Sequence, residues 1–216
     1  MTPLTGPHWG PKSGGAPRQL VILCHGLGAD GHDLIDLAPH WGAVLPHAAF
    51  AAPDAPQACD MGPFGRQWFS VADRTPGIMA AGAAAAAQHL GAFIDAELSR
   101  LNLPPDAYAL MGFSQGAMTA LYTGLRRQTP PRAILAFSGA LLAPDDLPNT
   151  TARPPVLLVH GEADEVVPAS RSHTAEAALR AVGIEVEALY PPTLGHGIEE
   201  TGLTIGGLLL QRVFVE

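Results

Sequence analysis

The stretch that decides the fold is Tyr108-Ala-Leu-Met-Gly112-Phe-Ser114-Gln-Gly116-Ala-Met-Thr-Ala-Leu-Tyr122. An apolar, strand-like run comes before Gly112, and a helix-like run follows Gly116. A serine between two glycines at this junction is typical of a nucleophile elbow, a sharp strand-to-helix turn that exposes the serine hydroxyl at the end of a sheet. Glycine has no Cβ atom to collide in the turn, and the free N–H groups of the helix start can stabilise a developing oxyanion. The stretch therefore predicts Ser114 as a nucleophile, although the same pattern also occurs in ordinary turns.

The rest of the chain alternates short apolar runs with helix-like segments. This alternation predicts an α/β fold with a mostly parallel central sheet and helices on both faces, in which functional loops follow the carboxyl ends of the strands. The predicted strands are Gln19–Cys24, Ala48–Ala52, Ala107–Met111, Arg132–Phe137, Val156–Val159 and Val186–Tyr190, and the predicted helices are His32–Leu45, Ile78–Leu101, Gln115–Arg127, Ser170–Val182 and Ile198–Val213.

Length and composition favour one domain. The chain has 216 residues, of which 47% are hydrophobic and only 15% charged, so it has ample apolar surface to bury. Residues 1–17 are rich in glycine and proline and are predicted to be a flexible N-terminal segment. Residues 18–216 are predicted to form a single α/β domain.

Charge and cysteine content restrict partners and location. The net charge is −8 and Lys12 is the one lysine, which argues against binding to nucleic acid or to an anionic membrane surface. The two cysteines, Cys24 and Cys59, cannot make a disulfide framework. There is no basic, then apolar N-terminal stretch typical of a signal peptide, and no run approaches the 18 apolar residues of a membrane span. We expect a cytoplasmic protein with no stable membrane insertion.

A serine nucleophile needs a base, and the base needs an acid that holds its tautomer. After the predicted strand 156–159 comes the acid loop, which we define as His160-Gly-Glu-Ala-Asp-Glu-Val-Val-Pro168. Chains with an elbow place the acid here, between the serine and the histidine. Asp164 is our candidate, with Glu162 and Glu165 as competitors, and a helix-capping aspartate is the structural alternative.

The predicted base is His196, which lies between Gly195 and Gly197 on a loop before the last predicted helix. By itself it could be a surface histidine. Its place after Ser114 and Asp164 completes the expected chain order and favours the catalytic interpretation. His160 is the nearest rival, but beside the acid loop it is expected to pack or to hydrogen bond.

The loop after the first long strand contains Gly26-Leu-Gly28-Ala-Asp-Gly31. In chains with an elbow, an oxyanion hole takes one N–H from this loop and one from the residue after the nucleophile. The predicted donors are therefore Leu27 and Gln115. The same glycines also fit a dinucleotide-binding fingerprint with Asp54 as the ribose acceptor, which would instead indicate an oxidoreductase.

The long loop, Pro53–Pro76, has no periodic pattern but contains aromatic residues, so it is expected to be functional. We predict that Trp68, Phe113 and Val167 form an apolar wall for an acyl chain. Trp68 could equally anchor the loop over the core. A metal site built from His160, Glu162 and Asp164 is a weaker possibility, because no second histidine pair stands at ligand spacing.

In these motifs the chain resembles the carboxylesterase and acyl-protein thioesterase (phospholipase/carboxylesterase) family of α/β-hydrolases, from about Leu20 to about Val213. It departs from many relatives at Ser70 and Gly197, which bears on substrate preference. The matching segments are His25-Gly-Leu-Gly-Ala-Asp30, Ala52-Pro-Asp-Ala-Pro56, Gln67-Trp-Phe69, Gly112-Phe-Ser-Gln-Gly116, Phe137-Ser-Gly-Ala-Leu141, the acid loop and Gly195-His196.

The resemblance implies an α/β-hydrolase fold and gives the predicted triad and oxyanion donors these same roles. It also implies that a homodimer can form. The expected function is a serine carboxylesterase that hydrolyses short- to medium-chain esters of small molecules through an acyl-enzyme, with no cofactor. The alternatives are an acyl-protein thioesterase, a lysophospholipase and, from other classes, a nucleotide-dependent oxidoreductase or a binding protein that has kept the fold.

Overall fold

The protein is built around one large sheet in a computed structural model that describes residues 2–215. The strands are β1 His8–Trp9, β2 Gln19–Cys24, β3 Ala48–Ala51, β4 Gln57–Ala58, β5 Arg66–Gln67, β6 Tyr108–Phe113, β7 Ile134–Phe137, β8 Val156–Val159 and β9 Val186–Leu189. Seven of them form a sheet in the order β1-β3-β2-β6-β7-β8-β9, and β4 and β5 form a separate hairpin. The α/β class predicted from the alternation is confirmed.

The helices are α1 His32–Ile35, α2 Ala38–Gly42, α3 Pro76–Arg100, α4 Gln115–Gly124, α5 Ser170–Ala181 and α6 Glu200–Val215, with a 3₁₀ helix at Pro144–Asn149. One predicted helix, residues 32–45, is in fact two short helices. Pro39 lies in the first turn of α2, where its missing N–H costs nothing, but it prevents the preceding turn from continuing smoothly.

The strand ends are aligned along one edge of the sheet. Apart from β1, which is antiparallel to β3, neighbouring strands of the large sheet are parallel. Cys24 is opposite Gly112, and Phe137 is opposite both Phe113 and Val159. The segments that follow β2, β6, β7 and β8 therefore meet at the same place, and these segments carry the predicted site.

Both faces of the sheet are buried, which explains why its strands are continuously apolar. One core contains Ile22 and packs under α3, α4 and α5, and the other contains Val21 and packs under α2 and α6. Alternate residues of β2 thus enter opposite cores. The two cores share the sheet, and the single domain over residues 18–216 stays a prediction.

Helix α3 is long and apolar enough, by length and composition, to cross a membrane, with a mean hydropathy of 1.3. The composition had predicted no such segment. Its inner side, which includes Leu90 and Ile94, belongs to the core, and 28% of its apolar 18-residue window is buried. Its alanines allow close packing: Ala83 and Ala86 are buried, and a Cβ at Gly82 would press on Phe69.

The prediction of a flexible segment over residues 1–17 is wrong for residues 5–9. Strand β1 pairs with β3, and the carbonyl groups of Thr5 and Pro7 accept hydrogen bonds from the N–H groups of Asp54 (2.7 Å) and Ala52 (3.0 Å). Gly6 lies so close to the Ala52 carbonyl that a Cβ would collide with it. Backbone pairing of this kind leaves little sequence signal, because the paired side chains are exposed.

Candidate active site

Ser114 sits in the strained turn that the sequence predicts. Its φ of 54° and ψ of −118° lie in a region that residues with a Cβ rarely adopt. Its N–H donates to the Phe137 carbonyl at 2.8 Å, which fixes the turn to β7. A Cβ at Gly112 would meet the Gly116 carbonyl, and a Cβ at Gly116 would meet the Cys24 carbonyl. Both flanking glycines are therefore required by the geometry of the elbow.

The predicted acid and base are in contact. His196 Nδ1 lies 2.7 Å from Asp164 Oδ2, and Asp164 Oδ1 accepts the N–H groups of Val166 and Val167 at 2.8 Å each. Burial tends to raise the pKa of Asp164, but the hydrogen bonds from His196, Val167 and Val166 outweigh it and lower the pKa below its usual value. Asp164 is therefore a buried, ionised partner for His196.

The competing carboxylates of the acid loop point elsewhere. Glu162 bonds His173 at the surface, with 2.9 Å between Oε1 and Nε2, and Glu165 is exposed. This divergence also weakens the metal interpretation, since Glu162 and Asp164 do not converge on one point. Among residues 2–215, no group of three or more potential ligand side chains is arranged to hold a metal ion.

The acid loop and the His196 loop are joined backbone to backbone. Glu162 N–H donates to the Pro191 carbonyl at 2.9 Å, and Ala163 N–H donates to the Leu194 carbonyl at 3.1 Å. A Cβ at Gly161 would collide with the Leu194 carbonyl. These contacts hold the two loops at a fixed separation, so they set the distance between acid and base.

The serine and the histidine are neighbours without a direct bond. The ring of Phe113, the residue before Ser114, packs on His196 with 4.9 Å between ring centroids. In the described part of the chain, no hydrogen bond joins the Ser114 hydroxyl to His196. In ligand-free enzymes this contact is often long and tightens only when substrate binds.

The two predicted oxyanion donors flank Ser114 and line the same cavity. Within residues 2–215, neither Leu27 N–H nor Gln115 N–H has a protein acceptor. Gly26 brings the first loop against the elbow, since a Cβ there would lie 3.5 Å from Ser114 Cβ. Two unpaired amides beside one hydroxyl are the arrangement that an oxyanion hole needs.

The Gln115 side chain pins the long loop to the elbow. Its Oε1 accepts the Trp68 N–H at 2.9 Å, and its Nε2 donates to the Phe69 carbonyl at 2.7 Å. The indole N–H of Trp68 donates to the His25 carbonyl at 2.9 Å. Trp68 is only 1% exposed and does not line the cavity, so the structure favours its role as an anchor over its predicted contact with substrate.

His25 supports the same junction as a neutral imidazole. Its Nε2 accepts the Ala55 N–H at 3.0 Å, so Nδ1 must carry the proton that it shares with the Gly26 carbonyl at 2.7 Å. Burial lowers the pKa of His25, which agrees with the neutral form. Both ring nitrogens thus serve the backbone of the two loops, which leaves none for chemistry.

A cavity of about 460 Å³ opens beside Ser114. Of the three predicted wall residues, Val167 lines it, whereas Phe113 is turned toward His196. Met118 could have been predicted, because it lies one helical turn after Ser114 on the same side of α4. Further apolar wall residues carry no such signal, and they include Val71, Met79, Leu141, Leu142 and Ala175.

A family model described as phospholipase/carboxylesterase matches residues 12–206. The chain belongs to the phospholipase/carboxylesterase family. Among curated relatives, acyl-protein thioesterase 1 of Gibberella zeae is 28% identical over 206 residues, with 82% of each chain covered. Esterase YpfH of Escherichia coli is 26% identical over 187 residues, covering 86% of this chain and 79% of the relative.

Solved structures give the same result. The crystal structure of esterase PE8 superposes with a TM-score of 0.92 at 41% identity and covers 98% of this chain and 100% of that one. SOBER1 of Arabidopsis thaliana, at 24% identity and a TM-score of 0.80, covers 91% of this chain and 99% of that one and shows the fold alone. The chain is an α/β-hydrolase of the carboxylesterase class. A rice relative, 29% identical over 206 residues with 88% of this chain and 82% of that one covered, is named a probable inactive carboxylesterase, so the site itself must carry the functional argument.

The phospholipase/carboxylesterase fold also explains the glycine-rich loop without a dinucleotide. Asp54 Oδ1 accepts the Gly31 N–H at 2.9 Å, and a Cβ at Gly31 would collide with the Ala52 carbonyl. The helix that follows, α1, has only four residues, too short to present a phosphate-binding start. Asp54 thus stabilises the loop through this hydrogen bond rather than serving as a ribose acceptor.

Proposed function

We propose that this protein is a serine carboxylesterase that hydrolyses short- to medium-chain carboxylic esters through an acyl-enzyme. The observation that carries the proposal is the 2.7 Å pair of His196 and Asp164 beside a serine held on a strained elbow at the mouth of an apolar cavity. Ser114 would be the nucleophile, His196 the general base and Asp164 the acid.

The geometry supports a role for each of the three residues in the reaction. With its Nδ1–H bonded to Asp164, His196 keeps Nε2 free to take the Ser114 proton while the oxygen attacks the ester carbonyl carbon. His196 then gives that proton to the leaving alcohol, and a water molecule repeats the sequence on the acyl-enzyme. Asp164 stabilises the imidazolium and does not take the proton.

The amides of Leu27 and Gln115 would bind the carbonyl oxygen when it becomes an oxyanion. One such donor is typically worth about a hundred- to a thousandfold in rate. Because both donors are backbone groups, side-chain substitutions at these positions leave the N–H groups in place.

The cavity supports a preference for apolar acyl groups. Each methylene buried in it contributes about 0.8 kcal/mol, and such pockets discriminate by about 1–3 kcal/mol per methylene. Its wall is mostly aliphatic, so we expect breadth across short and medium chains rather than one strict substrate.

Replacement of the nucleophile tests the proposal. Ser114→Ala keeps the Cβ and the backbone strain, so the melting temperature should stay near that of wild type. Turnover of p-nitrophenyl esters should fall by at least about a thousandfold, and labelling by a fluorophosphonate probe should disappear. Near-wild-type turnover in this variant would exclude Ser114 as the nucleophile.

A second experiment tests the acyl cavity. Met118→Ala should remove part of the wall and enlarge the cavity beside Ser114. The preferred p-nitrophenyl ester should therefore shift toward longer chains. Met61→Ala is the matched control, because Met61 is 62% exposed on the β4–β5 connection and does not line the cavity. An unchanged chain-length profile for Met118→Ala would show that the acyl group binds elsewhere.

Thioester hydrolysis is a second candidate, favoured by the relative named acyl-protein thioesterase 1. The same site could cleave a thioester, since the triad and the cavity recognise the acyl half of the substrate. Paired oxygen and sulfur esters of one acyl chain would separate the two activities, and lysophospholipids would test the third alternative.

We also propose a cytoplasmic enzyme that works without a cofactor. Both cysteines are free, and burial raises the pKa of the Cys24 thiol, which keeps it protonated and inert. A homodimer stays a prediction, and sedimentation of the purified chain at several concentrations would test it.

A further inference from the structure

His160 is a second histidine on the carboxylate of Asp164. It follows β8 directly and is fully buried. Its Nε2 lies 3.1 Å from Asp164 Oδ2 and 2.8 Å from the Val167 carbonyl, and its Nδ1 lies 2.6 Å from the Ser172 hydroxyl on α5. The reaction proposed above uses none of these contacts.

The partners define the tautomer of His160. Nε2 faces only acceptors, the Asp164 carboxylate and the Val167 carbonyl, so it must carry a proton. The Ser172 hydroxyl can donate to Nδ1, and its other acceptor, the Gly139 carbonyl, is at 3.5 Å. The shorter contact favours donation from Ser172 to a neutral ring. Ser172 thereby keeps the proton of His160 on Nε2, which donates to the Val167 carbonyl beside Asp164.

The Asp164 carboxylate is held by the turn that His160 supports. Oδ1 accepts the amides of Val166 and Val167, and Oδ2 accepts His196 at 2.7 Å, while the His160 ring lies against Oδ2 with Nε2 3.1 Å away. Without His160, the Val167 carbonyl would lose this donor, and the turn whose amides fix Oδ1 could shift together with the carboxylate. That shift would move the atom that orients the base.

We propose that His160 is a positioning residue for the base, acting through Asp164, and that Ser172 sets its tautomer. This inference rests on the proposed function, because it assigns His160 a part in keeping His196 Nε2 aimed at Ser114. A purely structural role would require only that the space be filled. A positioning role requires a donor to the Val167 carbonyl, because that donor fixes the turn whose amides hold Asp164.

Three variants separate these roles. His160→Phe fills the space but has no donor, His160→Gln keeps an N–H donor at similar reach, and Ser172→Ala removes the group that sets the tautomer. Ser170→Ala, an exposed serine at the start of the same helix, is the matched control.

Loss of such supporting contacts typically costs about ten- to a hundredfold in activity. We expect His160→Phe to lower kcat by that range with KM changed less than about twofold, because substrate contacts are untouched. His160→Gln should recover most of kcat, Ser172→Ala should lose less than His160→Phe, and Ser170→Ala should match wild type.

Proton NMR gives a readout that does not depend on turnover. The His196 Nδ1–H bonded to Asp164 should appear far downfield, beside a second resonance from His160 Nε2–H. Ser172→Ala and His160→Gln should shift or broaden the His196 resonance while thermal unfolding shows a folded protein. If His160→Phe does not fold, these two variants decide the matter.

Two outcomes would overturn the proposal. One is a folded variant at residue 160 or 172 that leaves both kcat and the His196 resonance unchanged. The other is an equal loss of kcat in His160→Gln and His160→Phe with an unchanged resonance, which would indicate packing alone. If wild type shows neither ester turnover nor fluorophosphonate labelling, the proposed function fails, yet the NMR experiment still tests the contact.

Discussion

The acid loop and the long loop both shape the site, but they are held in different ways. Asp164 in the acid loop is bonded by its own neighbours Val166 and Val167 and by His196, and the His160 ring lies against it. The long loop is bonded at its base by Gln115, which lies 47 residues away from Trp68 in sequence, while its tip exposes 85% of Phe64.

The two loops are therefore expected to contribute differently, the acid loop to turnover and the long loop to the stability of the fold. Contacts in the acid loop involve a charge and decide where the base points, so their loss should appear mainly in turnover. The contacts of Gln115 with the long loop are neutral and buried, and they join distant parts of the chain, so their loss should appear mainly in the free energy of unfolding. Three experiments test this difference between the two loops.

The largest effect is expected for Asp164→Asn in the acid loop. The amide cannot serve as an anionic partner for His196, and it favours the wrong tautomer, so kcat should fall by about ten-thousandfold. The matched control is Glu162→Gln, a surface carboxylate of the same loop, which should keep turnover near wild type. Steady-state kinetics on one p-nitrophenyl ester measure both. Similar losses of kcat in the two variants would show that Asp164 has no role in turnover that Glu162 lacks.

The next effect is expected for Gln115→Ala at the base of the long loop. The Trp68 N–H and the Phe69 carbonyl would lose their partners, and buried unsatisfied groups cost about 1–3 kcal/mol each. We expect the free energy of unfolding to fall by about 2–4 kcal/mol and kcat by less than about tenfold, because the backbone donor stays. Gln88→Ala on the exposed side of α3 is the control. If Gln115→Ala keeps the wild-type free energy of unfolding but loses most of its kcat, the contacts of Gln115 would serve turnover rather than stability.

The smallest effect concerns acid pH. The pKa of Asp164 is lowered by its hydrogen bonds despite burial, and a group with a lowered folded-state pKa stabilises the fold above its unfolded pKa of about 3.9. This stability is lost as pH falls through the folded value. Urea unfolding should therefore show that the gap between wild type and Asp164→Asn narrows below about pH 4.

Asp60 in the long loop serves as the comparison for that experiment. Its pKa is also lowered, first by the hydrogen bond from Ser70 and then by Gln67, but the carboxylate is exposed. Solvent screens exposed interactions, so the gap between wild type and Asp60→Asn should change with pH in the same direction but less. A larger change for Asp60→Asn would contradict the assigned difference in burial.

The elbow could be predicted because its signal is local. A Cβ at Gly112 would meet the Gly116 carbonyl four residues on, although Gly116 itself is held against Cys24 of β2. Continuous apolar runs such as 19–24 and 156–159 mark strands buried on both faces. The order of Ser114, Asp164 and His196 then followed from the topology, since each residue follows a strand of one sheet.

The rest depends on contacts between distant residues. Trp68 is turned inward by the carbonyl of His25, 43 residues away, and no local pattern reveals such a partner. The cavity wall is similarly assembled from separate segments, and those around Val71, Met79 and Leu141 carry no pattern that ties them to Ser114. From the sequence, His160 is expected only to pack or to hydrogen bond, because only the structure shows which oxygen atoms lie beside it.

Strand β1 has a consequence for handling this protein. It covers Phe50 and Ala51 at the border of the sheet, where open backbone groups would otherwise template pairing between copies of the chain. The family model matches from residue 12, so β1 lies outside the matched segment. Removal of the first ten residues would leave Ser114, Asp164 and His196 in the chain but would expose this edge of the sheet to pairing between copies.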